Sequence, residues 1–241
     1  MESKKRYALI GTGAVVLLSG TAAIVGPGIY ANMQEANNAA APSITMSAPA
    51  SSQATDATSA DASKPVLAGS WQVADGSEAG YRVNEVLNGQ DVTVTGRTSD
   101  VTGNFTVSEH GTTLETATFT VDLSTVATDS DRRDKYFKNT TIDTNTYPTA
   151  ELTITEPVNL GEAAKSGETK TVEVTGQLTI KGQTQTVTFP LDVAGNGEQV
   201  QIAASLPISF ADYGIEAPSL GFVSVEDKGS IEVQLTATPA A

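Results

Sequence analysis

From Gly69 onward the chain alternates apolar with polar side chains, and this period of two constrains the fold more than any other feature of the sequence. Val172, Val174, Leu178 and Ile180 share one parity, while Thr171, Glu173, Thr175, Gln177, Thr179 and Lys181 share the other. Lys181-Gly182 interrupts the pattern, and Val187, Phe189, Leu191 and Val193 resume it on the opposite parity. Asn196-Gly197 is a hairpin turn signal. Beyond it Val200, Ile202, Ala204, Leu206, Ile208 and Phe210 alternate again, and Ile231, Val233 and Leu235 close the chain in the same way. Earlier strand candidates are 81–87, 91–98, 105–108, 112–126 and 151–155, giving roughly eight or nine strands, each with one buried and one wet face.

The wet parity carries Glu, Lys, Gln and Thr. A membrane barrel would turn apolar residues outward, so the pattern predicts a soluble antiparallel barrel or sandwich. Plentiful Thr and Val suit pleated surfaces. The candidates 200–210 and 112–126 are longer than ordinary strands. Long strands tilted about an axis can enclose a lumen, and about eight of them leave room for one slim ligand. One stretch departs from the alternation. Residues 131–139, with Asp129 or Ser130 as N-cap, read as a short helix.

The N-terminus is different in kind. Lys4, Lys5 and Arg6 precede an uncharged run that lasts until Glu35. Tyr7 to Tyr30 is long enough for a transmembrane helix, longer than a secretory core of about 7–15 residues. Residues 1–31 are therefore expected to be a membrane anchor. The basic cluster places the N-terminus in the cytoplasm and the remainder outside. The competing expectation is a signal peptide, cleaved after Ala31 and followed by secretion. Residues 32–68 are rich in Ala, Ser, Thr and Pro and poor in large apolar side chains, so they are expected to form a disordered linker. The folded domain is expected to span 69–239.

Catalytic signals are sparse. There is no cysteine and a single histidine, His110, before Gly111 at a predicted turn. A Ser-His-Asp triad has no Gly-x-Ser-x-Gly elbow to stand on, and no metal site is expected. Asp129 and Asp131 lie in a polar stretch, where a solvated pair is the simpler reading. A net charge of −14 disfavours nucleic-acid binding. The expectation is a protein that is not an enzyme. Nothing in the sequence indicates an oligomeric state.

Taken in order, several short motifs resemble the YceI-like family of lipocalin-like, polyisoprenoid-binding proteins, in the form of its membrane-anchored actinobacterial members. They are Gly69-Ser70-Trp71-Gln72-Val73, Gly80-Tyr81-Arg82-Val83, Gly96-Arg97-Thr98 followed by Val101-Thr102-Gly103, and Arg133-Asp134 with Tyr136-Phe137 and Tyr147-Pro148-Thr149-Ala150. Gly176 to Gly182 and Phe210-Ala211-Asp212-Tyr213-Gly214-Ile215 complete the series. The resemblance covers the whole expected domain.

It implies an all-β fold: an eight-stranded antiparallel barrel with a short helix. It also implies an apolar cavity holding a long isoprenoid lipid, such as an isoprenoid quinone, and no other cofactor. The function so implied is lipid binding or carriage in the cell envelope. The alternative is a structural or interaction domain whose barrel interior is filled. The candidate ligand-binding residues are Tyr81, Phe119, Arg133, Tyr136, Phe137, Tyr147, Phe189, Phe210 and Phe222. Arg132 to Lys135 either meet a quinone or phosphate head group or form a capped, solvated helix with a local Arg133–Asp134 pair, the simpler reading. Many family members place a His in the second strand where this chain has Glu85, which removes any head-group contact made by that His.

Overall fold

The computed structural model describes residues 38–46, 66–162, 164, 166–219 and 221–240. Strands β1 (Gly69–Val73) and β2 (Glu78–Leu87) are two halves of one kinked strand, and β3 (Gln90–Thr98) and β4 (Val101–Val107) are halves of the next. β1 pairs with β4 and β2 with β3. The ring continues through β5 (Thr113–Asp122), β6 (Thr149–Ile154), β8 (Lys170–Ile180), β9 (Gln183–Gly195), β10 (Val200–Ser209) and β11 (Val223–Pro239). The short β7 (Val158–Asn159) pairs with the start of β5.

One edge of β11 first follows β2, from Val223 to Gln234, and then β1, where Pro239 lies opposite Trp71. This second pairing closes the sheet. Counting the two kinked strands once each, the fold is a closed, eight-stranded antiparallel barrel. Closure leaves few of the open edges that invite aggregation.

Two hairpins are set by their turn residues. Lys181 and Gly182 take φ of 51° and 73°, and Asn88 and Gly89 take 50° and 79°. Positive φ at both central positions is the geometry that continues strand twist through a two-residue turn. The Asn196-Gly197 turn is longer: the Asn196 side-chain oxygen accepts from the backbone N–H groups of Glu198 (2.9 Å) and Gln199 (2.8 Å). The expected strand over 112–126 stops at Asp122. Its carboxylate accepts from Ser124 N–H at 2.8 Å and starts a 3-10 turn, Leu123–Thr125.

The expected helix is α1 (Asp131–Tyr136), running into a wider π-type turn, Phe137–Thr141. The segment before it bridges to β3 through Arg97 and Ala127. At the opposite end of the lumen, Trp71 stacks on Phe105 at 6.2 Å and donates its indole N–H to Leu67 O at 2.9 Å. Leu67 itself is buried.

Two parts of the expected linker, 38–46 and 66–68, are described, and both contact the barrel. Leu67 and Ala68 belong to the core. Residues 38–46 lie across the outer face of β3, β2, β11 and β10. Asn38 Nδ2 donates to Thr93 O (2.7 Å), Ala39 N–H donates to Thr95 Oγ1 (3.1 Å), and Arg82 donates to Ala39 O (2.7 Å). Ser43 N–H donates to Gln234 Oε1, and the Thr45 and Met46 N–H groups donate to Gln201 Oε1.

Near this segment Glu232, 3% exposed, is held between Arg82 at 2.7 Å and Arg97. Composition carries no sign of this contact, because the segment buries little apolar surface. It docks instead through polar contacts to strand side chains. The expected membrane span at 1–31 and the remainder of the linker, 32–37 and 47–65, lie outside the described residues. Among the described residues no helix is long and apolar enough to cross a membrane.

Candidate functional site

Eight tilted strands give the barrel an interior, and the inward parity makes that interior apolar. Ile202, Ala204, Leu206 and Ile208 of β10, Leu178 and Ile180 of β8, and Ile231, Val233 and Leu235 of β11 all face it. The side chains do not fill the space. A cavity of about 630 Å³ remains, well inside the range of roughly 300–1,000 Å³ typical of small-molecule sites. Deeper in, Phe119, Leu152, Phe189, Leu191 and Ile202 separate it from a pocket of about 40 Å³ beside Leu67 and Phe105. The lumen is thus apolar and narrows toward Leu67 and Phe105.

Its mouth is polar. β2 sends Tyr81, Val83, Glu85 and Leu87 inward, and α1 faces them with Arg133, Tyr136 and the following Phe137. Tyr81 stacks on Phe137, with ring centroids 5.3 Å apart. Glu85, 6% exposed, meets Arg133 Nη2 at 3.4 Å, and the other guanidinium arm donates to Asp129 at 2.7 Å. Asp134 accepts from Thr128 N–H (2.9 Å) and Thr128 Oγ1 (2.7 Å), so the expected local Arg133–Asp134 pair is not formed.

Burial pushes the Tyr81 hydroxyl pKa well above its ordinary value, an effect that Arg133 partly opposes. For Arg133 burial acts downward, but Glu85 and Asp129 outweigh it and the net direction is upward. The mouth therefore presents a neutral phenol beside a guanidinium shared by two carboxylates. Among the described residues no group of His, Cys, Asp and Glu could hold a metal ion. His110 sits exposed in the β4–β5 turn.

The family model described as the YceI-like domain matches residues 71–237. The chain belongs to the YceI-like family. Among curated relatives, a UPF0312 protein of Pseudomonas putida (strain W619) is 33% identical over 132 residues, covering 51% of this chain and 64% of the relative. A UPF0312 protein of Pseudomonas aeruginosa (strain LESB58) is 27% identical over 128 residues, covering 50% and 63%. The chain thus spans less than two thirds of the length of these relatives.

Among solved structures, a polyisoprenoid binding domain from Saccharophagus degradans superimposes with a TM-score of 0.56 at 22% identity, covering 72% of this chain and 99% of that one. Burkholderia cenocepacia BcnA gives 0.50 at 23% identity, covering 66% and 96%. Both likenesses concern the fold.

Within this YceI-like barrel, eight of the nine candidate residues line the cavity: Tyr81, Phe119, Arg133, Tyr136, Phe137, Phe189, Phe210 and Phe222. Phe222 stands at the rim, 56% exposed. Tyr147 does not join them. Its ring lies over the Lys181-Gly182 turn, 2.8 Å from where a β-carbon on Gly182 would stand. Glu85, which is not one of the nine candidates, also faces the cavity. Its signal was its parity: it is the carboxylate in the otherwise uncharged inward series Tyr81, Val83, Glu85, Leu87.

Proposed function

We propose that this chain binds and carries a long apolar lipid of isoprenoid type, outside the cytoplasm and tethered to the membrane by its N-terminal segment. The observation that carries this reading is the unfilled apolar lumen, narrowing inward, with polar groups at its mouth. An amphiphile with a slim hydrocarbon tail and a compact head matches that division. Membership of a family whose solved relatives include a polyisoprenoid binding domain supports the same class of ligand. The tether is supported by the uncharged run from Tyr7 to Tyr30.

The alternative, an envelope domain with a packed interior, would require side chains where the cavity of about 630 Å³ lies. A binding role is preferred over catalysis because the charged groups at the mouth, Glu85 and Arg133, are already paired to each other.

Burying a methylene from water is worth about 0.8 kcal/mol, but a bilayer is already apolar, so moving the tail from lipid to lumen is close to neutral. That suits a reversible carrier. The test is extraction and mass spectrometry of the full chain purified without added lipid, alongside Ala204→Trp, which puts an indole into the lumen. A prenyl lipid retained by the parent and lost from the variant is the expected result. No prenyl lipid in either would overturn the reading.

A further inference from the structure

Resting on that reading, we infer that the mouth selects isoprenoid lipids with uncharged, hydrogen-bonding head groups over polyprenyl phosphates. Glu85 is a buried carboxylate pointing into the lumen from β2. Arg133, the cation nearest to it, is engaged on both arms, by Glu85 at 3.4 Å and Asp129 at 2.7 Å. Asp134, next in sequence, adds a further negative charge near Tyr81.

The other arginines with atoms at the lining are no better placed. Arg82 is tied to Glu232 and to Ala39 O on the outer face. Arg132 is exposed, so an anion held there would sit in water, where such pairs are weak and screened by salt. A phosphate seated at the mouth must therefore share Arg133 with two carboxylates and lie beside Glu85 in a partly desolvated site, where like charges repel strongly. A neutral head group meets no such opposition. Arg133 can share a donor with a carbonyl or hydroxyl oxygen, Glu85 accepts from a hydroxyl, and the Tyr81 phenol has no hydrogen-bond partner among the described residues and is available as a donor.

The experiment uses the full chain, stripped of lipid in neutral detergent and titrated with an isoprenoid quinone, a polyprenol and a polyprenyl phosphate of matched tail length. Quinone or polyprenol is expected to bind at least about tenfold more tightly than the phosphate, and whichever is the tighter identifies the uncharged head. Glu85→Gln, which removes the charge and keeps the shape, should narrow the gap. Asp129→Asn frees one arm of Arg133 from outside the lumen and should narrow it too, which keeps the test valid if the buried substitution fails to fold. Phosphate binding as tight as the neutral lipids, or a gap that neither foldable variant changes, overturns the selectivity while leaving lipid binding intact. Failure of all three lipids to bind overturns the function itself.

Discussion

Glu85 of β2 and Arg133 of α1 meet at 3.4 Å across the mouth of the lumen, so the contact that ties the helix to the barrel wall is also the polar feature a ligand head would meet. Both side chains are largely withdrawn from water. Removing one partner of such a pair leaves an uncompensated charge, which typically costs about 3–5 kcal/mol. Arg133→Met should therefore destabilise the chain toward the lower end of that range, because Asp129 is exposed and can turn to water.

Adding Glu85→Gln to Arg133→Met should recover part of the loss, since the orphaned charge is gone. Denaturant unfolding of both single variants and the double variant reads the coupling. Strictly additive effects would show that the contact contributes nothing.

The ring of Tyr81 rests where β3 offers no side chain. A β-carbon on Gly96 would lie 2.4 Å from the Tyr81 ring, too close for any real contact. Gly96→Ala should force the ring off its place over Phe137. Overpacking of this kind costs about 1–3 kcal/mol. A melting temperature unchanged from the parent would mean that the ring has a second comfortable position. A change in the near-ultraviolet tyrosine signal without loss of the far-ultraviolet strand signal would place the disturbance at the mouth.

The barrel wall was legible because burial on one face imposes a period of two, and Val172 to Ile180 or Val200 to Ile208 can satisfy it in one register only. The Lys181-Gly182 turn and the helix start near Ser130 carried equally local signals. The partner of Arg133 was also legible in principle: side chains at i and i+1 of a helix diverge, so Asp134 could not serve, whereas Asp129 is four residues away. What resisted reading was long-range and aperiodic. The closure of the sheet, in which β11 pairs first with β2 and then with β1, joins residues far apart in the chain. Tyr147 looked like a mouth residue by type but is placed by the turn at Gly182. The docking of residues 38–46 rests on single hydrogen bonds to Thr95, Gln201 and Gln234, which leave no pattern in composition.

The N–H groups of Ala39, Ser43, Thr45 and Met46 all have side-chain acceptors on the barrel. Each such bond is worth about 0.5–1.5 kcal/mol net, so these amides should exchange several-fold more slowly than free chain. Gln201→Ala removes the acceptor of Thr45 and Met46 together. Protection should vanish there, while amides within β10 and β11 keep theirs. Exchange at free-chain rates in the parent would show that the segment does not rest on the wall.

Burial raises the pKa of Tyr81 above the ordinary value of 10.0, and of Tyr213 likewise, with Asp212 adding to the shift at Tyr213. A raised pKa means that the native state holds the phenol proton more tightly than the unfolded chain does. Below pH 10.0 both states keep the proton, and the contribution to stability is present in full. As pH climbs past that point the unfolded chain ionises first, the native chain binds more protons, and unfolding becomes steadily easier, by up to about 1.4 kcal/mol per pH unit for each group. Tyr81→Phe cannot ionise in either state, so its stability should fall less steeply above pH 10.0 than the parent's. Tyr213→Phe should behave the same way, and because its buried hydroxyl has no partner among the described residues, its loss should cost little at neutral pH. Urea unfolding of the parent and the two variants between about pH 8 and about pH 11 compares the slopes. Three parallel slopes would mean that neither phenol is held protonated by the fold.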